Sequence, residues 1–219
     1  MHAPLSTYRA AVFDLDGTLI DSTGPIVAST QAAISELGWE PVPPEVIVSH
    51  IGYKLEAIFP ERTLEERRLL VDTIGKHYDG ICAEQTVLYP GMGELLTRLA
   101  AAEVPLGVVT SKRRRHTERI LNALGVRQHF RVVLGSDDVA RMKPDPEGLL
   151  TAVQTLDVAA GEALYVGDTR IDIQTARAAG VAVAGVAWGT DGPEALQAAG
   201  VDHAVHSPDG IDPLFPPPA

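Results

Sequence analysis

A single cysteine, Cys82, stands among 219 residues. No intramolecular disulfide framework and no cysteine-rich zinc site can be built from it, and the chain suits a reducing compartment. Positive charge is also in deficit, with 18 Lys+Arg against 29 Asp+Glu and a formal net charge of -11. That field opposes binding to a nucleic-acid polymer or an anionic membrane. No apolar run approaches the roughly 18 residues of a membrane span. Met1-His2-Ala3-Pro4 leads quickly toward a strand, without the basic region and apolar core of a signal peptide. What is present is 45% hydrophobic and 21% charged residues, enough for one good core and a small accessory domain. The expectation is a soluble, cytoplasmic α/β protein.

Short apolar runs recur along the chain. RAAVFDLD (9–16) ends in acidic residues before Gly17, and VPLGVVTS (104–111), RVVLGS (131–136), ALYVGDT (163–169), VAVAGVAW (181–188) and a weaker HAVHS (203–207) follow. Each reads as a short strand. Between them, residues 92–103, 113–124, 146–159 and 172–179 are helical candidates, several closed by glycine at Gly125, Gly161 or Gly180. This alternation predicts a three-layer, Rossmann-like α/β core with a parallel sheet. Residues 18–88 break the rhythm, with no convincing strand and helical candidates at 24–37, 43–50, 53–58 and 63–83. So long an excursion predicts a helical cap inserted between the first strand and its return at Tyr89-Pro90-Gly91. The expected plan is a discontinuous core, 1–17 and 89–219, with a cap at 18–88. The closing DPLFPPPA, with prolines at 213, 216, 217 and 218, is expected to pack little or lie extended.

Asp14 and Asp16 are two apart at the end of the first run, so an extended backbone points both the same way. Inside a strand they would repel and resist desolvation, but at a strand end they suit a divalent cation. Gly17 permits a sharp departure, and Thr18 offers a hydroxyl and an amide nearby. A solvated strand-end turn is the alternative reading of this segment taken alone. Thr110 and Ser111 sit where strand gives way to helix, either to hold phosphate oxygens or as ordinary N-caps. Lys112 and Arg113-Arg114-Arg115 either attract an anionic substrate or form a solvated basic helix start. Their charge opposes the helix dipole, so an external or cross-domain anion would make sense of them. Lys143, before Pro144, is a candidate fixed charge for phosphate and carboxylates, or else an exposed lysine. Asp168 is placed to meet Asp14 and Asp16 across the C-terminal edge of a parallel sheet. Asp172, on the first turn of the next helix, would cap amides or order the lysine and metal water. Such an oxygen-rich site suits Mg²⁺.

DLDGTL (14–19), Thr110 at a strand end, Lys143-Pro144 and GDTRID (167–172) occur in an order that resembles the haloacid dehalogenase-like hydrolase superfamily, particularly its phosphatases with a small helical cap. The resemblance spans nearly the whole chain, more weakly in the cap than in the core. It implies Asp14 as nucleophile, Asp16 as general acid/base, and Thr110 and Lys143 as phosphate clamps. It implies Mg²⁺ held by Asp14, the backbone carbonyl of Asp16 and Asp168, with Asp172 in support. The implied chemistry is phosphoryl transfer to Asp14 and hydrolysis of the aspartyl-phosphate, with Thr18 to Ser22 and Leu88 to Gly91 as hinges for cap closure.

The retained Asp16 and GDTRID favour a phosphatase over the family's dehalogenases. Lys54 keeps a phosphonate-cleaving Schiff base in view, and the arginine-bearing cap stretch of a sugar-phosphate mutase is not found. The pattern is most similar to the phosphoglycolate phosphatase group. Gly52, Tyr53 and Lys54 are candidates for the cap pocket, a glycine-led helix start placing an aromatic and a cation above the core; Tyr53 reads equally as helical packing, and His50 as an ordinary polar residue. Thr18, Ser111 and Lys112 complete the expected substrate contacts. The partner is a small phosphorylated metabolite, with phosphoglycolate the lead. Inorganic pyrophosphate, a nucleoside monophosphate, pyridoxal phosphate or a sugar phosphate are alternatives, and a catalytically silent binding module is the non-enzyme reading. A monomer or weak homodimer is expected.

Overall fold

The computed structural model describes residues 8–53 and 55–215. Along the chain run β1 (Ala10–Phe13), β2 (Ile20–Asp21), α1 (Thr23–Glu36), α2 (Pro44–Val48), α3 (Leu64–Gln85), β3 (Val87–Leu88), α4 (Met92–Ala101), β4 (Leu106–Val109), α5 (Arg114–Ala123), β5 (Phe130–Leu134), α6 (Glu147–Thr155), β6 (Ala163–Gly167), α7 (Arg170–Ala179), β7 (Ala182–Val186), α8 (Gly192–Ala198) and β8 (His203–Val205). Six strands form a parallel sheet in the order β5-β4-β1-β6-β7-β8.

Strand β1 is central and wholly buried. Ala10 and Val12 pack with Leu149 and Ala152 of α6 and Ile173 of α7. Ala11 and Phe13 pack on the opposite face with Leu95 and Leu99 of α4 and Ile120 of α5. A strand buried on both faces carries no polar side, which explains the continuous apolar run. Phe13 is in register with Val108 on one side and Val166 on the other. The chain builds outward from β1 through β4 and β5, then returns to build through β6, β7 and β8. That reversal opens a crevice at the C-terminal ends of β1, β4 and β6.

The inserted helical cap elements lie between β2 and β3, which pair antiparallel where the insertion leaves and rejoins the core, Ile20 with Leu88 and Asp21 with Val87. This short pair was absent from the sequence reading, because two residues per strand carry no periodicity. Helix α3 begins at a reciprocal cap in which the Thr63 hydroxyl accepts from Glu66 N and the Glu66 carboxylate accepts from Thr63 N. A small cluster of Ala33, Ile34, Phe59, Leu70 and Ile74 joins α1 to α3, with Trp39 edge-on to Phe59 at 5.0 Å.

Four expectations are corrected in detail. The helix expected at 146–159 stops at Thr155, where Asp157 takes the left-handed conformation, and Gly161 sits in a separate 3₁₀ turn. The segment 53–58 yields only a 3₁₀ turn at Leu55–Ile58. Helix α8 follows Gly192 and had no expected counterpart. The tail packs further than its prolines suggest: Leu214 and Phe215 are buried, Tyr8 N donates to the Leu214 carbonyl, and Arg98 pairs with Asp209 and Asp212. Prolines 216–218 fall outside the described residues. Among the described residues no helix is long and apolar enough to cross a membrane.

Candidate active site

Asp14 follows β1, Thr110 follows β4 and Asp168 follows β6, so three strand ends deliver them to one crevice. Lys143 arrives from the β5–α6 connection and is buried there. Its ammonium lies 2.7 Å from Asp172 Oδ1 and 3.2 Å from the Tyr165 hydroxyl. It is also 2.9 Å from Asp14 Oδ1, but off the angle of a hydrogen bond, so that oxygen is buried with charge beside it and no donor. Burial alone would discharge Lys143; Asp14 and Asp172 outweigh it and hold the amine well above its ordinary pKa.

Asp172 is placed by the start of α7. The Thr169 hydroxyl caps the helix and accepts from Asp172 N, while Asp172 Oδ2 accepts from the amides of Asp168 and Thr169 and from the Thr169 hydroxyl. Burial pushes its carboxyl up, but Lys143 and Thr169 win and keep it below the usual range. Asp172 therefore joins the first turn of α7 to the Lys143 ammonium.

Asp168 is gripped at both oxygens. Thr18 Oγ1 donates to Oδ1 at 2.8 Å and Thr190 N to Oδ2 at 2.8 Å. Two glycines clear its space: a Cβ on Gly17, which stands at φ +81, would lie 2.1 Å from Asp168 Oδ2, and one on Gly189 would lie 2.2 Å from Asp168 Cβ. Burial and the neighbouring carboxylates raise Asp14 to about 8, despite the pull of Lys143, and burial with Asp172 raises Asp168 to about 7. Asp14, Asp168 and Asp172 each offer an oxygen within 4.8 Å of the others, and Lys143 is the ammonium among them. Three buried carboxylates, an orphaned Asp14 oxygen and an all-oxygen donor set fit a hard divalent cation.

Asp16 has different company. Its carboxylate accepts from the Ser22 hydroxyl and lies 2.9 Å from Lys112 Nζ. Lys112 is itself buried, donates to the Tyr78 hydroxyl at 2.8 Å and lies 4.4 Å from the centre of that ring. Its charge is thus engaged inside the chain. The Asp16 side chain stands apart from the three-carboxylate cluster, and Asp172 stands within it.

A cavity of about 600 Å³ opens between core and cap above this floor. Asp14, Asp16, Thr110, Ser111 and Lys112 line it from the core, and Gly52, Tyr53 and several α3 residues line it from the cap. Thr18 is fully buried and faces Asp168 instead of the cavity. Neither Thr110 nor Ser111 caps α5: Thr110 Oγ1 accepts from Lys112 N, and Asp137 takes the Arg114 amide. Tyr53 donates to both carboxylate oxygens of Asp191 at 2.8 and 3.0 Å, tying cap to core, and burial with this bond pushes its phenol up to about 12. Gly52 lets the cap approach so closely that a Cβ would lie 3.0 Å from Thr169 Cγ2. Lys54 falls outside the described residues. His50 bonds the Val46 carbonyl within its own helical segment.

Two of the three arginines in the run find their anions across the cap boundary. Arg113 pairs with Asp72 and Arg115 with Asp79, both on α3, while Arg114 pairs with Asp138. Sequence reasoning missed the β7–α8 loop. From it Trp188 donates to the Thr18 carbonyl, Thr190 holds Asp168 and Asp191 receives Tyr53. Its position just past VAVAGVAW, at the same edge of the sheet, was the available signal.

The fold and the floor define a hydrolase of the α/β class, carrying the residue set of a phosphoric monoester hydrolase that works through a carboxylate. The model of the haloacid dehalogenase-like hydrolases matches residues 11–186, and the chain belongs to that family. It is 34% identical over 218 residues to a phosphoglycolate phosphatase of Salmonella typhimurium, covering 88% of this chain and 86% of that one. A phosphoglycolate phosphatase of Escherichia coli strain K12 is 32% identical over 214 residues, covering 86% and 84%. The crystal structure of a Bacteroides fragilis protein, named for the same hydrolase family, superposes with a TM-score of 0.87 at 30% identity, covering 95% of this chain and 100% of that one.

Proposed function

We propose that the chain is a Mg²⁺-dependent phosphatase that hydrolyses a small phosphomonoester through an aspartyl-phosphate on Asp14, with phosphoglycolate as lead substrate. The observation that carries this reading is the split between two carboxylates at one cavity floor. Asp14 sits against Lys143 and the other two aspartates, and Asp16 sits against Lys112 and Ser22. Paired carboxylates in unlike surroundings suit unlike roles. The names of the Salmonella and Escherichia relatives support the choice of substrate.

Asp14 attacks phosphorus and takes the phosphoryl group, while Asp16 gives its proton to the departing alcohol oxygen. Asp16, now a carboxylate, takes a proton from water as that water attacks the phosphorylated Asp14, which returns as a carboxylate with release of phosphate. Thr110 and Lys143 hold the phosphoryl oxygens, and Lys143 offsets the repulsion between an anionic substrate and Asp14. Thr18 and Thr190 fix Asp168, and Asp172 fixes Lys143. Asp14, Asp168 and the Asp16 carbonyl, with Asp172 in support, would hold Mg²⁺, which would supply charge neutralisation for the transferring group. The core is assigned to 1–17 and 89–219 and the cap to 18–88, the β2–β3 pair marking the passage between them.

Phosphate release from phosphoglycolate, pyrophosphate, nucleoside monophosphates, sugar phosphates and pyridoxal phosphate, with and without Mg²⁺, tests this. A dominant Mg²⁺-dependent substrate should emerge, with turnover reduced at least about a thousandfold in Asp14→Asn. Comparable turnover by that variant would sink the role of Asp14, and silence toward every substrate would sink the phosphatase reading.

A further inference from the structure

The cap wall of the cavity carries two arginines that no carboxylate pairs with among the described residues. Lys112 is engaged by Asp16, and Arg113 by Asp72 at 2.8 Å. Arg67 and Arg68, consecutive on α3, also line the cavity, and among the described residues neither makes an ion pair or a side-chain hydrogen bond. The Arg67 Nε is buried without a partner. Arg62 also has an unbonded Nε, but that nitrogen lies 3.8 Å from Glu61, Nη1 donates to Glu66 and the guanidinium lies over the Trp39 ring, 4.5 Å from the centre. Glu56 also lines the cavity and, among the described residues, makes no ion pair with either arginine. Most other arginines of the chain are paired, so this gap falls where a ligand would enter.

A buried guanidinium nitrogen left without a partner is unfavourable, and an entering anion removes the penalty. The planar fork of arginine matches a carboxylate or a phosphate group. We infer that Arg67, with Arg68 beside it at the rim, binds an anionic group on the leaving-alcohol portion of the substrate, so that the cavity selects phosphomonoesters bearing a second negative charge. The inference rests on the phosphatase reading of this cavity and identifies its specificity device. Asp14, Asp16 and Thr110 come from the core and Arg67 from the cap, so a substrate charged at both ends spans the two. Ile51, Leu55 and Val71 supply an apolar wall that rewards no polar group elsewhere on the molecule.

Phosphoglycolate and ethyl phosphate are a matched pair in which a carboxylate replaces a methyl. The parent enzyme should prefer phosphoglycolate, and Arg67→Met should lower the ratio of the two kcat/KM values about tenfold to a hundredfold, the loss expected for one charge-assisted hydrogen bond. Arg67→Lys should restore part of the ratio, which a purely structural defect would not. An unchanged ratio in Arg67→Met, or a parent enzyme that prefers ethyl phosphate, overturns the inference. A second measurement separates it from the phosphatase reading: calorimetric titration of Mg²⁺-loaded Asp14→Asn protein with phosphoglycolate, with and without Arg67→Met. If the parent hydrolyses neither ester and none of the other phosphates named above, the phosphatase reading fails. Binding that still depends on Arg67 would support the anion site even then, and binding indifferent to Arg67, or none, would end it.

Discussion

In β1 and β6 every residue is buried, and strand register with helices on both faces fixes where Asp14 and Asp168 emerge. The cap has a cluster of only five buried residues of its own, and its long helix meets α5 largely through charged groups: Arg113 with Asp72, and Arg115 and His116 with Asp79. A close-packed apolar interior yields little and penalises even small displacements, whereas partly exposed ion pairs are weak, salt-sensitive and easily exchanged. The contrast assigns rigidity to the floor, where atoms must be placed closely, and adjustability to the lid, where leaving groups differ. Tyr53 on Asp191 and Tyr78 on Lys112 are points where cap and floor meet through polar contacts.

The largest effect should come from breaking the floor. Lys143, Asp14 and Asp172 have side chains 5%, 3% and 0% exposed. Lys143→Ala leaves two buried carboxylates facing each other without their ammonium, and should cost about 3–5 kcal/mol in denaturant unfolding as well as most of the turnover. Adding Asp14→Asn to Lys143→Ala should return part of that stability by removing one buried charge. A Lys143→Ala protein as stable as the parent would show that the floor does not depend on this ion network, and the comparison with the cap would lose its basis.

The core was legible because its signals are local and strong. An apolar run that ends in DLDG declares both a buried strand and what stands at its tip, and GDTRID does the same for β6 and the start of α7. The helices of the cap were legible as elements for the same reason: Thr63 and Glu66 form a cap that can be read three residues apart. Contacts between elements were less so. The clash of the arginine run with the helix dipole pointed only to some external or cross-domain anion, beside a solvated helix start; Asp72 and Asp79 as the partners required the packing of α3 on α5. That Thr18 turns to Asp168, 150 positions away, depended on a pairing of strands that no window of sequence contains. The β7–α8 loop was overlooked because Gly189 matters only through the Asp168 side chain it leaves room for.

A smaller effect should follow from loosening the seam. Asp79 accepts from Arg115 at 2.8 Å and meets His116 Nε2 at 2.7 Å, while its carbonyl receives Arg119. Asp79→Ala removes an exposed ion pair of little worth and leaves the buried His116 ring without its partner, a cost of about 1–3 kcal/mol. Native-state hydrogen exchange should report that cost in α3 and leave β1 and β6 protected as before. Equal loss of protection in the sheet would mean that cap and core open as one unit.

The smallest effect is a pH dependence of the same seam. The His116 side chain is 7% exposed, edge-on to Tyr78 at 5.3 Å, and faces Asp79 from α3, Arg115 from its own helix and Lys112 from the turn before it. Burial lowers its pKa below the ordinary 6.5, with Arg115 and Lys112 adding to the fall and Asp79 opposing it. The imidazole is therefore neutral where an unfolded chain would begin to take up a proton, and its Nε2–H donates to Asp79. Because the unfolded state binds more protons in that window, stability falls as pH drops below 6.5 and levels off once the folded-state pKa is passed. Hydrogen exchange of α3 should accelerate in free-energy terms between about pH 7.5 and about pH 5.5, after correction for intrinsic rates, and His116→Gln should flatten that profile. His77, paired with Glu36 on the outer side of the same helix, remains in the variant as an internal control. A slope that survives His116→Gln would place the pH sensitivity outside the seam, and the charged face between α3 and α5 would then hold the cap without sensing protons.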